Sequence, residues 1–258
     1  MVHYERRKFC DAYNLAHSIW LYIVETPEPE LIDHLDPTDA RFCTSLAKPY
    51  RWTLLHHYID EWYREFIIVF EERYNDMLDV VVTEYKAVLN SYEIPYTTFD
   101  LPSERDENYD LEANKILSYL RSQLPIKRIV NDTFQLLFGD REFLLHFNLI
   151  TSQFVKNMKV IDYPEILAKD GILKRVELPT WLKRGVFFRD RGRCIKCCKD
   201  LTGTIVTDEN LHYDHLVPLA EGGTNDPTNF QLLCRDCNLK KGKIDETSDW
   251  YPVYWKIE

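Results

Sequence analysis

Two Cys-x-x-Cys pairs, Cys194/Cys197 and Cys234/Cys237, bracket an Asp214-His215 dipeptide, a Gly222-Gly223 pair and Asn229, and Asn238 follows the last cysteine directly. These residue types bind metals and move protons. A Cys-x-x-Cys turn brings two sulfurs to one point, and two such turns complete a tetrahedral four-sulfur set, which zinc favours. Two disulfides, or a thioredoxin-like redox pair, are the competing readings. The opening residues MVHYERRKFCDAYN lack the apolar core of a signal peptide, so a reducing, cytoplasmic setting is expected and disulfides are not. A redox pair has no use for a second Cys-x-x-Cys. Structural zinc on Cys194, Cys197, Cys234 and Cys237 is the expectation, with Cys198 a bystander.

The elements that must position the polar residues lie between the two cysteine pairs. Residues 211–218, LHYDHLVP, read as a short strand stopped by Pro218. Asp214 and His215 point to opposite faces of a regular strand, so the strand has to end or twist there for both to serve one site. Pro218 and Gly222-Gly223 supply that bend. His212 shares the Asp214 face and is read as flanking the site rather than joining it. Asn229 precedes a second apolar strand, 230–233, and Asn238 opens a short basic helix over 239–243.

The pattern DH-x-x-P, then GG, then N, then C-x-x-C-N-x-x-K-G resembles the HNH nuclease family, the ββα-metal fold, over roughly residues 175–245. The resemblance implies that His215 is the general base, Asp214 a metal ligand and Asn229 the residue that braces the loop and orients the base. The third family position is often histidine, as in the colicin nucleases. Here it is Asn238, similar to the HNH domain of RNA-guided CRISPR nucleases. An aspartate and an asparagine offer hard oxygen ligands, which suit Mg2+ or Mn2+ better than zinc or nickel. Phosphodiester hydrolysis needs an activated water and neutralised phosphate charge, and a neutral His215 can take the proton of that water. Taken alone, His215 would read as a strand histidine satisfied by a backbone carbonyl. Its company at family spacing argues otherwise.

Charge divides the chain. Of 32 Lys/Arg and 42 Asp/Glu, residues 174–258 hold 14 and 13, and residues 1–173 hold 18 and 29. The formal balances are +1 and −11, so the acidity belongs to the amino-terminal part alone. That part has no glycine before Gly139, and between 50 and 94 it has neither glycine nor proline. Trp52, Leu55, Ile59, Trp62, Phe66, Val69, Phe70, Tyr74, Met77, Val81, Tyr85, Val88 and Tyr92 recur there at helical spacing and are read as core. One helix of that length would run about 68 Å, too long for a compact domain, so a break near Asn75-Asp76 and a helical hairpin are expected. His56, His57, Asp60 and Glu61 are read as a solvated helix face and not as a second metal site.

The expected architecture is α+β. An acidic all-α domain over 1–170 docks a partner, self-associates or restrains the nuclease. A linker over 171–181 leads to the HNH domain over 171–258, with Thr180 capping a helix at 181–189. Arg189, Arg191, Arg193, Lys240, Lys241 and Lys243 form a basic rim suited to phosphate contact. The aromatic tail at 250–255 is expected to pack back on a domain. Double-stranded DNA is the expected substrate, no segment suits a membrane, and the resemblance implies work in phage defence or in a mobile element. The other class is a zinc-stabilised DNA-docking module, or an effector inert until a partner binds.

Overall fold

The computed structural model describes residues 10–26, 40–74, 76–101, 109–203, 211–242 and 247. Lys243, the tail at 250–255 and Asn75 lie outside them. The elements are α1 (Cys10–Trp20) with a π-helical turn at Leu21–Glu25, α2 (Ala40–Ala47), α3 (Leu54–Arg73), α4 (Leu78–Ser91), α5 (Tyr109–Gln123), α6 (Ile126–Phe138) and α7 (Arg141–Asn157). There follow β1 (Leu167–Lys169), β2 (Ile172–Leu173), α8 (Thr180–Arg189), β3 (Leu211–His215), β4 (Phe230–Cys234) and α9 (Arg235–Lys241). The chain is α+β, helical at its amino-terminal end with a small sheet in the zinc-cysteine region. No helix among the described residues is long and apolar enough to cross a membrane.

Two compact units divide the chain. One comprises Met1–His17 and Ile59–Phe134; the other comprises Ser18–Tyr58 and Gln135–Glu258. In the first unit α3 stops at Arg73 and α4 starts at Leu78, so the long apolar repeat is broken where its length requires. The main partner of α4 is α5 rather than α3. Accordingly the periodic residues are not all core. Val81, Tyr85 and Tyr92 are buried, whereas Phe66 and Val69 are more than half exposed. Glu71 accepts from the Tyr85 hydroxyl and pairs with Arg121 at 2.8 Å.

The second unit is built on α7, whose inner face buries Phe143, Leu144, Phe147 and Val155. Asp140 caps this helix by accepting from Phe143 N at 3.0 Å, and its other oxygen accepts from Trp20 Nε1 at 3.0 Å. The stretch read as a linker is folded. An Asp170-Gly171 turn joins β1 and β2 as an antiparallel hairpin, a signal available in the sequence and passed over there. Thr180 is the first residue of α8 rather than its cap; Pro179 takes the cap position with extended backbone and no side-chain bond.

Strands β3 and β4 pair antiparallel, with Leu211 opposite Cys234, His212 opposite Leu233, Asp214 opposite Gln231 and His215 opposite Phe230. A two-stranded ribbon is marginal alone. Here α8 and α9 cover it, and Leu182, Val186, Ile195, Leu201, Phe230, Leu232 and Leu233 form one buried cluster with Cys194, Cys234 and Cys237. The last helix starts at Arg235, immediately after the strand, so Asn238 lies inside α9 instead of opening it.

Candidate active site and metal centre

The four cysteine sulfurs lie within 4.8 Å of one another. Cys197 Sγ and Cys234 Sγ are 3.7 Å apart, and a tetrahedral zinc shell with bonds of about 2.3 Å spaces its sulfurs by about 3.8 Å. The donor set and its dimensions fit structural zinc. Burial, then the neighbouring thiols of Cys234 and Cys197, push the Cys237 thiol up, as expected where only a cation lets several thiols ionise together. The first knuckle is closed by Cys198 N donating to Cys194 O at 2.8 Å, and it is pinned to β4 by Ile195 N donating to Leu232 O at 3.0 Å.

Asn229 is fully buried and holds the loop that follows β3. Its Oδ1 accepts from Val217 N at 2.8 Å, and its Nδ2 donates to Val217 O and Thr224 O, both at 2.9 Å. It does not reach the His215 ring. The two glycines complete the same turn: Gly222 has φ of +80°, and a Cβ on Gly223 would fall 1.8 Å from Val217 O. Gly223→Ala should therefore cost about 3 kcal/mol or more, at the upper end of overpacking effects, because backbone rather than a flexible side chain is in the way. Denaturant unfolding measures it, and a loss below about 1 kcal/mol would show that the turn relaxes freely.

His215 ends β3 with 5% of its surface exposed, tilted against Phe230 at a ring separation of 4.4 Å. Its Nε2 faces Asn225 Oδ1 at 3.4 Å. The Asn225 amide is itself fixed, since Nδ2 donates to Ala47 O at 3.0 Å and to Lys174 O at 2.8 Å, and its backbone N donates to Leu46 O at 2.8 Å. Two of the carbonyls at the end of α2 find their partners there. With Oδ1 turned to the ring, Nε2 carries the proton and Nδ1 keeps the lone pair. Burial brings the imidazole down to about 4; the charges of Arg175 and Lys241 add to this, while Asn225 and Asp214 oppose it. At neutral pH the ring is uncharged and able to accept a proton.

Asp214 and His212 lie on the other face of β3, opposite α9. Asp214 Oδ2 is 2.8 Å from Lys241 Nζ, an ion pair that lacks the angle of a directed hydrogen bond. Lys241 also donates to His215 O at 2.7 Å. Asn238, one turn earlier on α9, meets His212 Nδ1 through its amide at 3.3 Å, and among the described residues His212 Nε2 is buried without a hydrogen-bond partner. The Asp214 carboxylate, paired with Lys241, the His212 ring and the Asn238 amide thus lie on one side of the strand. This donor chemistry fits a divalent cation.

The basic rim is not one surface. Arg189 is buried: Nε and Nη2 form a bidentate pair with Asp190 at 2.9 and 3.0 Å, and Nη2 also donates to Phe230 O. Asp190 in turn accepts from Leu232 N at 2.8 Å, so this ion pair ties α8 to β4 and is not available to phosphate. Lys241 is 2% exposed and committed to Asp214 and His215. Arg193 is half-buried, donating to Cys198 O and pairing with Asp200 at 3.6 Å. Arg191 and Lys240 are exposed, as the rim requires.

Sequence reasoning missed Asn225 and Asp226. Asp226 Oδ1 accepts from Thr228 N and Oγ1, and Oδ2 accepts from Leu54 N at 2.8 Å, capping α3 from a distant part of the chain. Thr53 and His56 cap the same helix reciprocally, with Thr53 N donating to His56 Nδ1 at 3.0 Å. His56 is therefore a buried cap and not part of a solvated face. The Asn225-Asp226-Pro227 turn signal marks the loop, but no local signal marks its partners.

Burial raises Asp226 from 3.8 to about 6. A raised carboxyl contributes stability that is present below its unfolded value and lost as pH rises through the folded one. Relative to Asp226→Asn, the native chain should gain about 1.4 kcal/mol between pH 7 and pH 5. Urea midpoints of both proteins at the two pH values measure it, and a constant difference would refute the burial account.

The four-cysteine knuckle packs against a ββα core that buries His215. Residues 194–243 match the family model described as HNH endonuclease, and this segment is an HNH endonuclease domain of the zinc type. Its substrate class is nucleic acid. No curated protein and no solved structure matches the chain.

Proposed function

We propose that the chain is an endonuclease hydrolysing phosphodiester bonds of DNA, with His215 as general base. The observation that carries this reading is the contact of Nε2 with Asn225 Oδ1: with the amide oxygen accepting there, Nδ1 is left to take a proton from water, an effect worth about 10²–10⁴-fold. Asp214 and Asn238 would hold a divalent cation, Mg2+ or Mn2+, which when bound neutralises charge at the scissile phosphate. Lys241 holds the end of β3 through His215 O, and Asn229 keeps the following loop closed. The exposed Arg191 and Lys240 are placed to contact phosphates, and double-stranded DNA is the substrate form we favour. The test is cleavage of supercoiled plasmid by the zinc-loaded full chain. Nicked or linear product should require Mg2+ or Mn2+; no product with either ion would sink the reading.

One observation favours a second reading. His215 is almost covered, and the residue that faces it is tied to α2. An effector opened by a partner, docked on the acidic amino-terminal residues or on a second copy, would have this form. Cytoplasmic phage defence or a mobile element is the setting we infer. Plasmid cleavage by the purified chain alone would reject the partner requirement.

A further inference from the structure

In the unit formed by Met1–His17 and Ile59–Phe134, the end of α5, the start of α6 and one face of α3 border a groove of about 700 Å³. Four cations line it: Arg64 from α3, Arg121 from the last turn of α5, and Lys127 and Arg128 from the first turn of α6. Among the described residues that line it there is no carboxylate and no aromatic ring. Two of the cations have an acidic neighbour beside the groove. Arg64 Nε pairs with Asp60 at 3.2 Å and Arg121 Nη1 with Glu71 at 2.8 Å, yet the two arginines stay 50% and 45% exposed. Arg128 has only neutral partners, donating to Tyr92 O at 3.0 Å with its guanidinium over the Tyr92 ring. Lys127 is exposed, and among the described residues its ammonium makes no ion pair. The acidity of the amino-terminal residues is thus an average that this groove escapes. The positive end of the α6 dipole, with no acid in the first turn, adds to the side chains. A cleft lined by one sign of charge draws the opposite one.

We propose that this groove binds the phosphodiester backbone of duplex nucleic acid, as a contact outside the HNH domain. The inference rests on nucleic acid being the substrate and adds a second place where it is held. Guanidinium forks match phosphate oxygens, and Ser118 and Ser122, one turn apart on α5, add hydroxyls to the same lining. A groove for single strands stacks their bases on aromatic side chains, and this lining has none. A small ligand is enclosed over most of its surface by its pocket. Here all four cations are exposed, which suits a backbone passing over them. Binding of this kind releases counterions and reads no sequence.

The test is fluorescence anisotropy of a short labelled DNA duplex with full-length, zinc-loaded protein, without added divalent cation, between about 50 and 200 mM salt. Lys127→Ala should weaken binding equally on two duplexes of unrelated sequence and lower the slope of log affinity against log salt by about 1. Lys127→Ala combined with Arg64→Ala should lower it by about 2. Lys115→Ala makes the same charge change at an exposed position of α5 outside the groove and should keep the wild-type slope. Should Arg64→Ala unfold the protein, the exposed Lys127→Ala carries the test alone. A wild-type slope in folded Lys127→Ala, or an equal loss in Lys115→Ala, overturns the proposal. Calorimetric binding of dAMP at micromolar affinity, abolished by Lys127→Ala, would assign the groove to a small phosphate and overturn it too. No cleavage is read. A chain that shows these slopes and cuts nothing loses the endonuclease reading and keeps the groove, and a chain that cuts plasmid with unaltered slopes does the reverse.

Discussion

Cys234→Ser should release the zinc and unfold the β3–β4–α9 region. Structural zinc supplies about 10–16 kcal/mol of apparent free energy in small domains, far more than a two-stranded ribbon with two helices can replace. Cys234 is both a ligand and the residue that ends β4 and precedes the first turn of α9, so losing it removes the ion and loosens the junction. The unit formed by Met1–His17 and Ile59–Phe134 has its own buried residues and should keep its helical signal. Metal analysis of the pure wild type should find one tightly bound zinc per chain. Less than half an equivalent, or a serine variant that melts like the wild type, would end the zinc assignment.

His215→Ala should lower plasmid cleavage by about 10²–10⁴-fold, the range of a lost general base. Zinc content should not change, because the ring touches none of the four cysteines; its neighbours are Phe230 and Asn225. Emptying a buried ring site also costs stability, so the rate is to be measured well below the melting temperature, with circular dichroism confirming the fold. A variant that cuts at near wild-type rate would remove His215 from the mechanism. Asn225→Ala makes the complementary point: it leaves the base in place and frees its Nε2, so it should cost less than His215→Ala.

The division into units changes what a truncation means. Residues 171–258 draw hydrogen-bond partners from earlier parts of the chain. Asn225 needs the α2 carbonyls, Asp226 needs Leu54 N, and Asn148 Nδ2 donates to Thr228 Oγ1 at 3.3 Å. A fragment starting at 172 would leave a buried carboxylate and a buried amide short of partners.

Local spacing makes part of the site legible in the sequence. Cys-x-x-Cys turns, the Asp-His dipeptide, the glycine pair and the C-N-x-x-K run each act over a few residues, and turns and short strands obey such rules. The break between α3 and α4 was also legible, because helix length is arithmetic. Tertiary structure alone decided which charges are free. Arg189 and Lys241 look like rim residues in a string of basic letters, yet each is drawn inside by a carboxylate and a carbonyl. It also decided what fixes the His215 tautomer and what caps α3, because Ala47 and Asn225, or Leu54 and Asp226, are brought together only by folding. A buried polar group must find a partner wherever the fold supplies one, and that search runs through space, where sequence patterns do not reach.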